Sequence, residues 1–334
     1  MEKRIKDRYN QQILEQVMEF FSITEDNIHL LDGFESFIYE FHREGQAYIL
    51  RISHSLRRNK NLIRGEIDWI NYLHRGGAGV AKAITAENGD FVVPVPDAHG
   101  GHFLAAAFVK ANGNPPTKEV WNPAFYQKYG RAIGRMHALT MDYTPTNPAW
   151  IRPQWDGPEM LDIEGWLPES ESLVLDRYLQ LKSHLDSLHK SMGTYGLIHQ
   201  DAHAGNFFVD DDGEITLFDF DDCTYSWFIN DIAIVLFYIV LGVEDQANFT
   251  REFMTNFLLG YRQENDFDAG WLKEIPSFLK LREIDLYAVI HRSFDVDNLE
   301  DPWVTMYMED RKQRIQNYMP YIEFDFTSLG NFIN

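Results

Sequence analysis

The chain has 334 residues, 45% of them hydrophobic and 14% aromatic, which is enough to bury a sizeable core and too apolar for a disordered chain. Its 30 Lys and Arg face 51 Asp and Glu, for a formal net charge of −21, a balance that speaks against nucleic acid and anionic membrane as partners. The single cysteine, Cys223, rules out an internal disulfide and a Cys-based metal cluster.

The opening residues (Glu2, Lys3, Arg4, Lys6) are charged and lack a signal-peptide core. The longest apolar run, Ile232 to Val243, is too short to cross a bilayer and reads as a buried helix. A cytoplasmic location is therefore expected. Ile5, Tyr9, Ile13, Val17 and Phe20 recur at helical spacing and predict an amphipathic opening helix. Short β-type runs follow at Ile28–Leu31, Phe37–Phe41 and Tyr48–Ile52, the last two joined by a tight Arg43–Glu44–Gly45–Gln46 turn. A helix is predicted from Asn59 to Arg75, stopping at Gly76–Gly77. Val80–Ile84, Phe91–Val95 and His102–Val109 read as strands, with turns at Asn88–Gly89 and Gly100–Gly101.

Lys110 to Pro116 has the composition of a linker. Past it the pattern turns helical: Asn122–Pro123 is an N-cap and N1 pair opening a helix to about Met141. A Pro- and Trp-rich loop fills Asp142 to Pro158, and helices resume near Glu169. Phe207–Val209 and Ile215–Phe218 flank the Asp210–Asp211–Asp212–Gly213 turn as a hairpin, and helices return from Trp227. This predicts an α+β fold of two lobes: residues 1–110, a small antiparallel β lobe with one helix, and 111–334, a larger and mostly helical one.

Between Asp201 and Asp231 lie nine Asp or Glu residues and no Lys or Arg. Carboxylates crowded on strand ends and loops, without basic partners nearby in sequence, repel one another, and a divalent cation relieves that repulsion. Asp and Asn oxygens suit a hard ion such as Mg2+, held partly by a bound phosphate.

The run His199-x-Asp201-x-x-x-x-Asn206, a hairpin, and then Asp219-Phe220-Asp221 resembles the catalytic loop and metal-binding triplet of kinases. With His203 and Gly205 inside the loop it is similar to the aminoglycoside phosphotransferase, choline kinase and type II homoserine kinase superfamily. That resemblance implies a protein-kinase-like fold and an ATP- and Mg2+-dependent phosphotransferase. Asp201 would orient or accept the proton of the attacking hydroxyl. Asn206 and Asp219 would hold Mg2+ against the phosphates, and His199 would brace the loop. Arg51, in Tyr48-Ile-Leu-Arg-Ile52, falls where a basic strand residue grips the nucleotide phosphates, and Glu66 where a helical carboxylate pairs with it. Leu30-Leu-Asp-Gly-Phe-Glu-Ser36 takes the place of the phosphate-covering loop, which makes Gly33 and Ser36 nucleotide-binding candidates. Phe108-Val-Lys110 takes the place of the adenine-reading hinge, and Asp231-Ile-Ala233 that of a helix start whose Asp caps the catalytic loop.

A metallohydrolase is the first alternative, with His199-x-Asp201-x-His203 as alternating ligands on a strand. A serine/threonine protein kinase of the same superfamily is the second; only residues 220–230 separate Asp219 from Asp231, which leaves little room for a peptide-binding activation segment. A non-catalytic relative is the third, opposed by the intact Asp201, Asn206 and Asp219.

The charge bears on the acceptor. Residues 1–75 hold 11 Lys and Arg against 12 Asp and Glu, so a net −20 falls in 76–334. An acidic surface there favours a small hydroxyl acceptor carrying a positive charge. On the helix after Pro276, Glu283, Tyr287 and His291 share one face at i, i+4 and i+8. That face is either solvent-exposed or the place where Glu283 and Tyr287 hold the cation.

Overall fold

The computed structural model describes residues 2–31, 33–160 and 162–333, without the side chain of Ile333. Among them ten strands are found: β1 (Ile28–Leu31), β2 (Phe37–Arg43), β3 (Gln46–His54), β4 (Ala83–Ile84), β5 (Val93–Pro96), β6 (His102–Val109), β7 (Tyr195–Ile198), β8 (Phe207–Val209), β9 (Ile215–Leu217) and β10 (Thr224–Trp227). The chain forms two compact units. One comprises Met1–Asn114, Asp142–Arg152 and Phe208–Asp221; the other Pro115–Met141, Pro153–Phe207 and Asp222–Asn334.

The first unit is built on an antiparallel sheet of order β1-β2-β3-β6-β4, with β5 also on β6. Side chains alternate across a strand, and β6 shows the consequence. Phe103, Ala105 and Ala107 join a core cluster with Ile13, Val17 and Phe21 on one face, while Leu104 and Ala106 join Ile63 and Ile67 on the other. On β3, Leu50 and Ile52 belong to the first face. Arg51 is therefore turned toward the helix Lys60–Arg75, which is why a basic residue can sit inside this unit. The expected single opening helix is two, Lys3–Lys6 and Gln11–Phe20. The break comes at Asn10, whose side chain accepts the Ile13 amide as an N-cap. The expected strand Val80–Ile84 shrinks to Ala83–Ile84, because Val80 makes only a lone bridge to Leu217. The β8–β9 hairpin turns at Asp210, whose Oδ1 accepts the amides of Asp212 and Glu214.

The second unit is helical. Phe228–Ile239 is buried from Phe228 to Phe237, as its apolar run implies. Pro123–Thr140 lies against Gln246–Tyr261 so closely that a Cβ on Gly130 would overlap Phe257 O, and one on Gly260 would overlap Gln127 O. Gly130→Ala should therefore destabilise the protein by about 1–3 kcal/mol, the cost of overpacking a filled contact. A lowered midpoint of thermal unfolding checks this; an unchanged midpoint would mean that the helices have slack. The strand pair β7–β10 was not expected. Its register, Ile198 opposite Thr224 and Tyr195 opposite Trp227, delivers the chain into residues 199–206 on one side and into Phe228–Ile239 on the other. Among the described residues no helix is long and apolar enough to cross a membrane.

Candidate active site

In the first unit, Arg51 is buried with its side chain 6% exposed, and Glu66 on the helix Lys60–Arg75 is fully buried. Arg51 donates to Glu66 Oε1 at 2.9 Å and Oε2 at 2.5 Å, the two-pronged geometry that an arginine fork gives and a lysine does not. Its Nη1 also lies 3.8 Å from Oδ1 of Asp219 and 3.8 Å from Oδ1 of Asp221. One guanidinium thus links the helix carboxylate with both acids of the Asp219-Phe220-Asp221 triplet. Asp219 holds a left-handed backbone, φ 61°, with its side chain 55% exposed. Such a conformation is uncommon for a residue other than glycine, and Asp tolerates it better than most. Asp221 points inward: it makes a close ion pair with Arg57 and lies 3.6 Å from Arg58 Nε. Burial alone would raise its carboxyl, but Arg57, Arg58, Arg51 and Arg152 outweigh it and hold the group far below the ordinary carboxylate range. Arg57 also pairs with Glu35.

Around the expected phosphate-covering loop, Gly33 passes so close to Ser36 O that a Cβ would collide. The Ser36 hydroxyl is engaged with Ser53 Oγ at 3.0 Å inside the sheet. Asp32, in the same loop, lies outside the described residues. At the expected hinge, Phe108 faces the Arg51 guanidinium at 5.2 Å from the ring centre. Lys110 pairs with Glu40 at 2.7 Å. The amides of Val109 and Lys110 already donate to Lys82 O and Ala47 O.

In the second unit, residues 199–206 form a loop, not a strand, so alternating ligands on one strand face are not what the chain builds. Asp231, in the first turn of Phe228–Ile239, accepts the amides of His199 at 2.9 Å and Gln200 at 2.7 Å. His137 steadies Asp231 from behind at 3.1 Å. Gln200 is held in the left-handed region, φ 70°, with its Oε1 accepting from Asn230 at 3.0 Å. Strain of this kind persists only where the surroundings over-determine it. His199 is buried, and its Nδ1 accepts the Asp201 amide at 3.3 Å.

These bonds aim Asp201. Asn206 Nδ2 donates to Asp201 O and to Oδ2, both at 2.9 Å. His203 Nδ1 accepts the Gly205 amide at 2.9 Å, so in the neutral ring the proton sits on Nε2, 3.4 Å from Asp201 Oδ2. The other oxygen, Oδ1, makes a close ion pair with Arg282. Burial works to raise the Asp201 carboxyl, but Arg282 and His203 prevail and keep it below the ordinary range. The crowded acids therefore have basic partners after all, brought from elsewhere in the chain: Arg282 for Asp201, and Arg51, Arg57 and Arg58 for Asp221.

Oxygen chemistry suits a hard divalent ion on both units. With its amide nitrogen spent on Asp201, Asn206 has Oδ1 as its remaining donor, and Asp219 presents a half-exposed carboxylate. The Glu283–Tyr287 face fits neither sequence reading. Glu283 is fully buried, pairing closely with Lys280 through Oε2 and with Arg311 at 2.6 Å through Oε1. Tyr287 is buried and donates to Glu171 at 2.9 Å. A carboxylate already matched by two cations is no site for a third.

The model of the phosphotransferase enzyme family matches residues 28–274. An amicoumacin kinase of Bacillus subtilis (strain 168) is 39% identical over 325 residues, 96% of each chain. A solved amicoumacin kinase in complex with AMP-PNP, Ca2+ and Ami superposes with a TM-score of 0.93 at 39% identity, covering 98% of this chain and 100% of that one. A microcompartment-associated aminopropanol kinase shares the fold, with a TM-score of 0.72 at 22% identity over 93% of this chain and 98% of that one. The chain therefore belongs to the phosphotransferase enzyme family, with its kinase-like α+β fold, and is an ATP-dependent small-molecule kinase with an alcohol group as acceptor.

Proposed function

We propose that this kinase phosphorylates a hydroxyl of an amine-bearing small molecule in the cytoplasm, using Mg2+, with Asp201 as the residue that takes the hydroxyl proton. The observation that carries the reading is the hold on Asp201: an ionised carboxylate, oriented by Asn206 and His203 on a loop that Asp231 caps. A positioned carboxylate of this kind is what a general base requires. Bound Mg-ATP supplies the phosphoryl group, and its ion supplies charge neutralisation. Asn206 Oδ1 and the Asp219 carboxylate are the proposed Mg2+ ligands. Arg51, fixed by Glu66, is the proposed phosphate-gripping cation. Gly33, Ser36, Phe108 and Lys110 are carried as nucleotide-side residues. Because the Val109 and Lys110 amides are taken and the Ser36 hydroxyl is engaged, their part would be played through carbonyls, shape and the Phe108 ring.

Charge supports the amine. Burial raises the Asp285 carboxyl, and Asp222 and Asp201 press on it as like charges, with Arg282 opposing them. An acceptor bringing a positive charge relieves that excess. The relatives' named substrate, amicoumacin, is the first acceptor to try, beside simple amino alcohols. Purified protein with Mg-ATP and amicoumacin should release ADP and add one phosphoryl group to the acceptor's mass. The apparent KM for the acceptor should rise severalfold between low and high ionic strength, as screening weakens attraction over a Debye length of about 10 Å at 0.1 M salt. A neutral sugar phosphorylated equally well at all salt concentrations would sink the amine and leave the phosphotransfer.

A further inference from the structure

We infer that Arg282 is a positioning residue that keeps Asp201 from activating water, so that phosphoryl transfer waits for a true acceptor. The inference rests on Asp201 being the base. In the resting geometry both oxygens of Asp201 are held. Oδ2 is held by its own loop, through Asn206 at 2.9 Å and His203 at 3.4 Å. Oδ1 is held by a side chain from the helix Ile275–Ser293, the Arg282 Nη2. The same nitrogen donates to Tyr238 Oη at 2.7 Å, and Nη1 donates to Asp285 Oδ2 at 2.7 Å. Arg282 Nε is buried without a partner. The guanidinium is thus aimed at three acceptors, two of them oxygens of acidic side chains, while its Nε–H is left without one.

The chemistry gives this cap a purpose. In transfer, the acceptor O–H breaks, its oxygen bonds the γ-phosphorus, the bond from phosphorus to ADP breaks, and the proton ends on Asp201. Water undergoes the same exchange and yields ADP and inorganic phosphate. To lose its proton to Oδ1, either nucleophile must displace or weaken the charge-assisted bond from Arg282, a donor that never gives up its own proton. An acceptor bound through other contacts can spend binding energy on that displacement. A water molecule has none to spend. Tyr238 and Asp285 keep the guanidinium docked nearby, so the cap returns when product leaves.

The test needs no acceptor: ADP release from Mg-ATP in water, measured for wild type, Arg282→Gln, Asp201→Asn and the double variant. Arg282→Gln should hydrolyse ATP at least about tenfold faster than wild type, a fraction of what a freed general base is worth. The double variant should fall back to the wild-type level or below it. A variant that only lost structure would lose activity, so the gain itself separates positioning from support. Arg282→Lys and Tyr238→Phe loosen the fork more mildly and should each raise hydrolysis about two- to fivefold; they carry the test should Arg282→Gln not fold. Hydrolysis unchanged or lowered in every folded Arg282 and Tyr238 variant overturns the inference. So does a rise that survives Asp201→Asn. The two readings fail separately: if Asp201→Asn alone abolishes basal hydrolysis and Arg282→Gln brings no gain, only the role of Arg282 falls. If the gain of Arg282→Gln persists in the double variant, the proton goes elsewhere, and the base assignment falls and takes Arg282 with it.

Discussion

Asp201→Asn should lower kcat by about 10²–10⁴-fold, the usual worth of a positioned general base, while Mg-ATP binding persists. The substitution keeps the side chain's shape and one acceptor oxygen but removes the charge and the basic lone pair. It also sets an NH2 group against one of two donors, Arg282 Nη2 or Asn206 Nδ2, so some loss of stability accompanies it. The two effects separate cleanly in measurement. Thermal unfolding reports the mispaired donor, while turnover at saturating nucleotide and acceptor reports the missing base. A folded variant that keeps more than half of the wild-type kcat would show that Asp201 is not where the proton goes.

Local chemistry was legible in the sequence; pairing across distance was not. The β2–β3 turn at Glu44–Gly45, the N-caps Asn59 and Asn122 and the hairpin at Asp210 each follow from residues within four or five positions of one another. The family fold was readable because the spacing of His199, Asp201, Asn206 and Asp219 is itself local. The arginines were invisible for the opposite reason. Arg282 stands 81 positions from Asp201, Arg57 stands 164 from Asp221, and Arg152 reaches the Asp221 carbonyl from 69 away. A run of acids without nearby bases therefore looked like a metal's demand alone, when folding brings guanidinium groups to three of them, Asp201, Asp219 and Asp221. The i, i+3 spacing of Arg282 and Asp285 was one available signal that this helix carries a polar face of its own. The same limit explains Glu283. Periodicity gave its face but not its neighbours, and Lys280 and Arg311 bury it.

Asp219→Asn and Asp219→Ala should abolish the stabilisation that Mg-ATP gives. A ligand that binds only the folded state stabilises it by about 2.7 kcal/mol at a hundredfold excess over Kd, so the wild-type unfolding midpoint should climb by several degrees with Mg-ATP and little with ATP alone. The dependence on the ion follows from charge: ATP beside a half-exposed carboxylate is repelled unless a divalent cation lies between them. The two substitutions divide the labour. Asn keeps the left-handed backbone that Asp219 holds at φ 61°, since Asn tolerates that region, whereas Ala pays for it; Ala should therefore lower the ligand-free midpoint further than Asn. The competing account is that Asp219 serves only as a distant counter-ion to Arg51, 3.8 Å away. That account predicts a changed ligand-free midpoint and an intact Mg-ATP shift. Metal ligation predicts the reverse for Asp219→Asn, a nearly unchanged ligand-free midpoint and no shift, because Arg51 keeps both bonds to Glu66. Equal stabilisation of wild type and Asp219→Asn by Mg-ATP would remove Asp219 from the metal site.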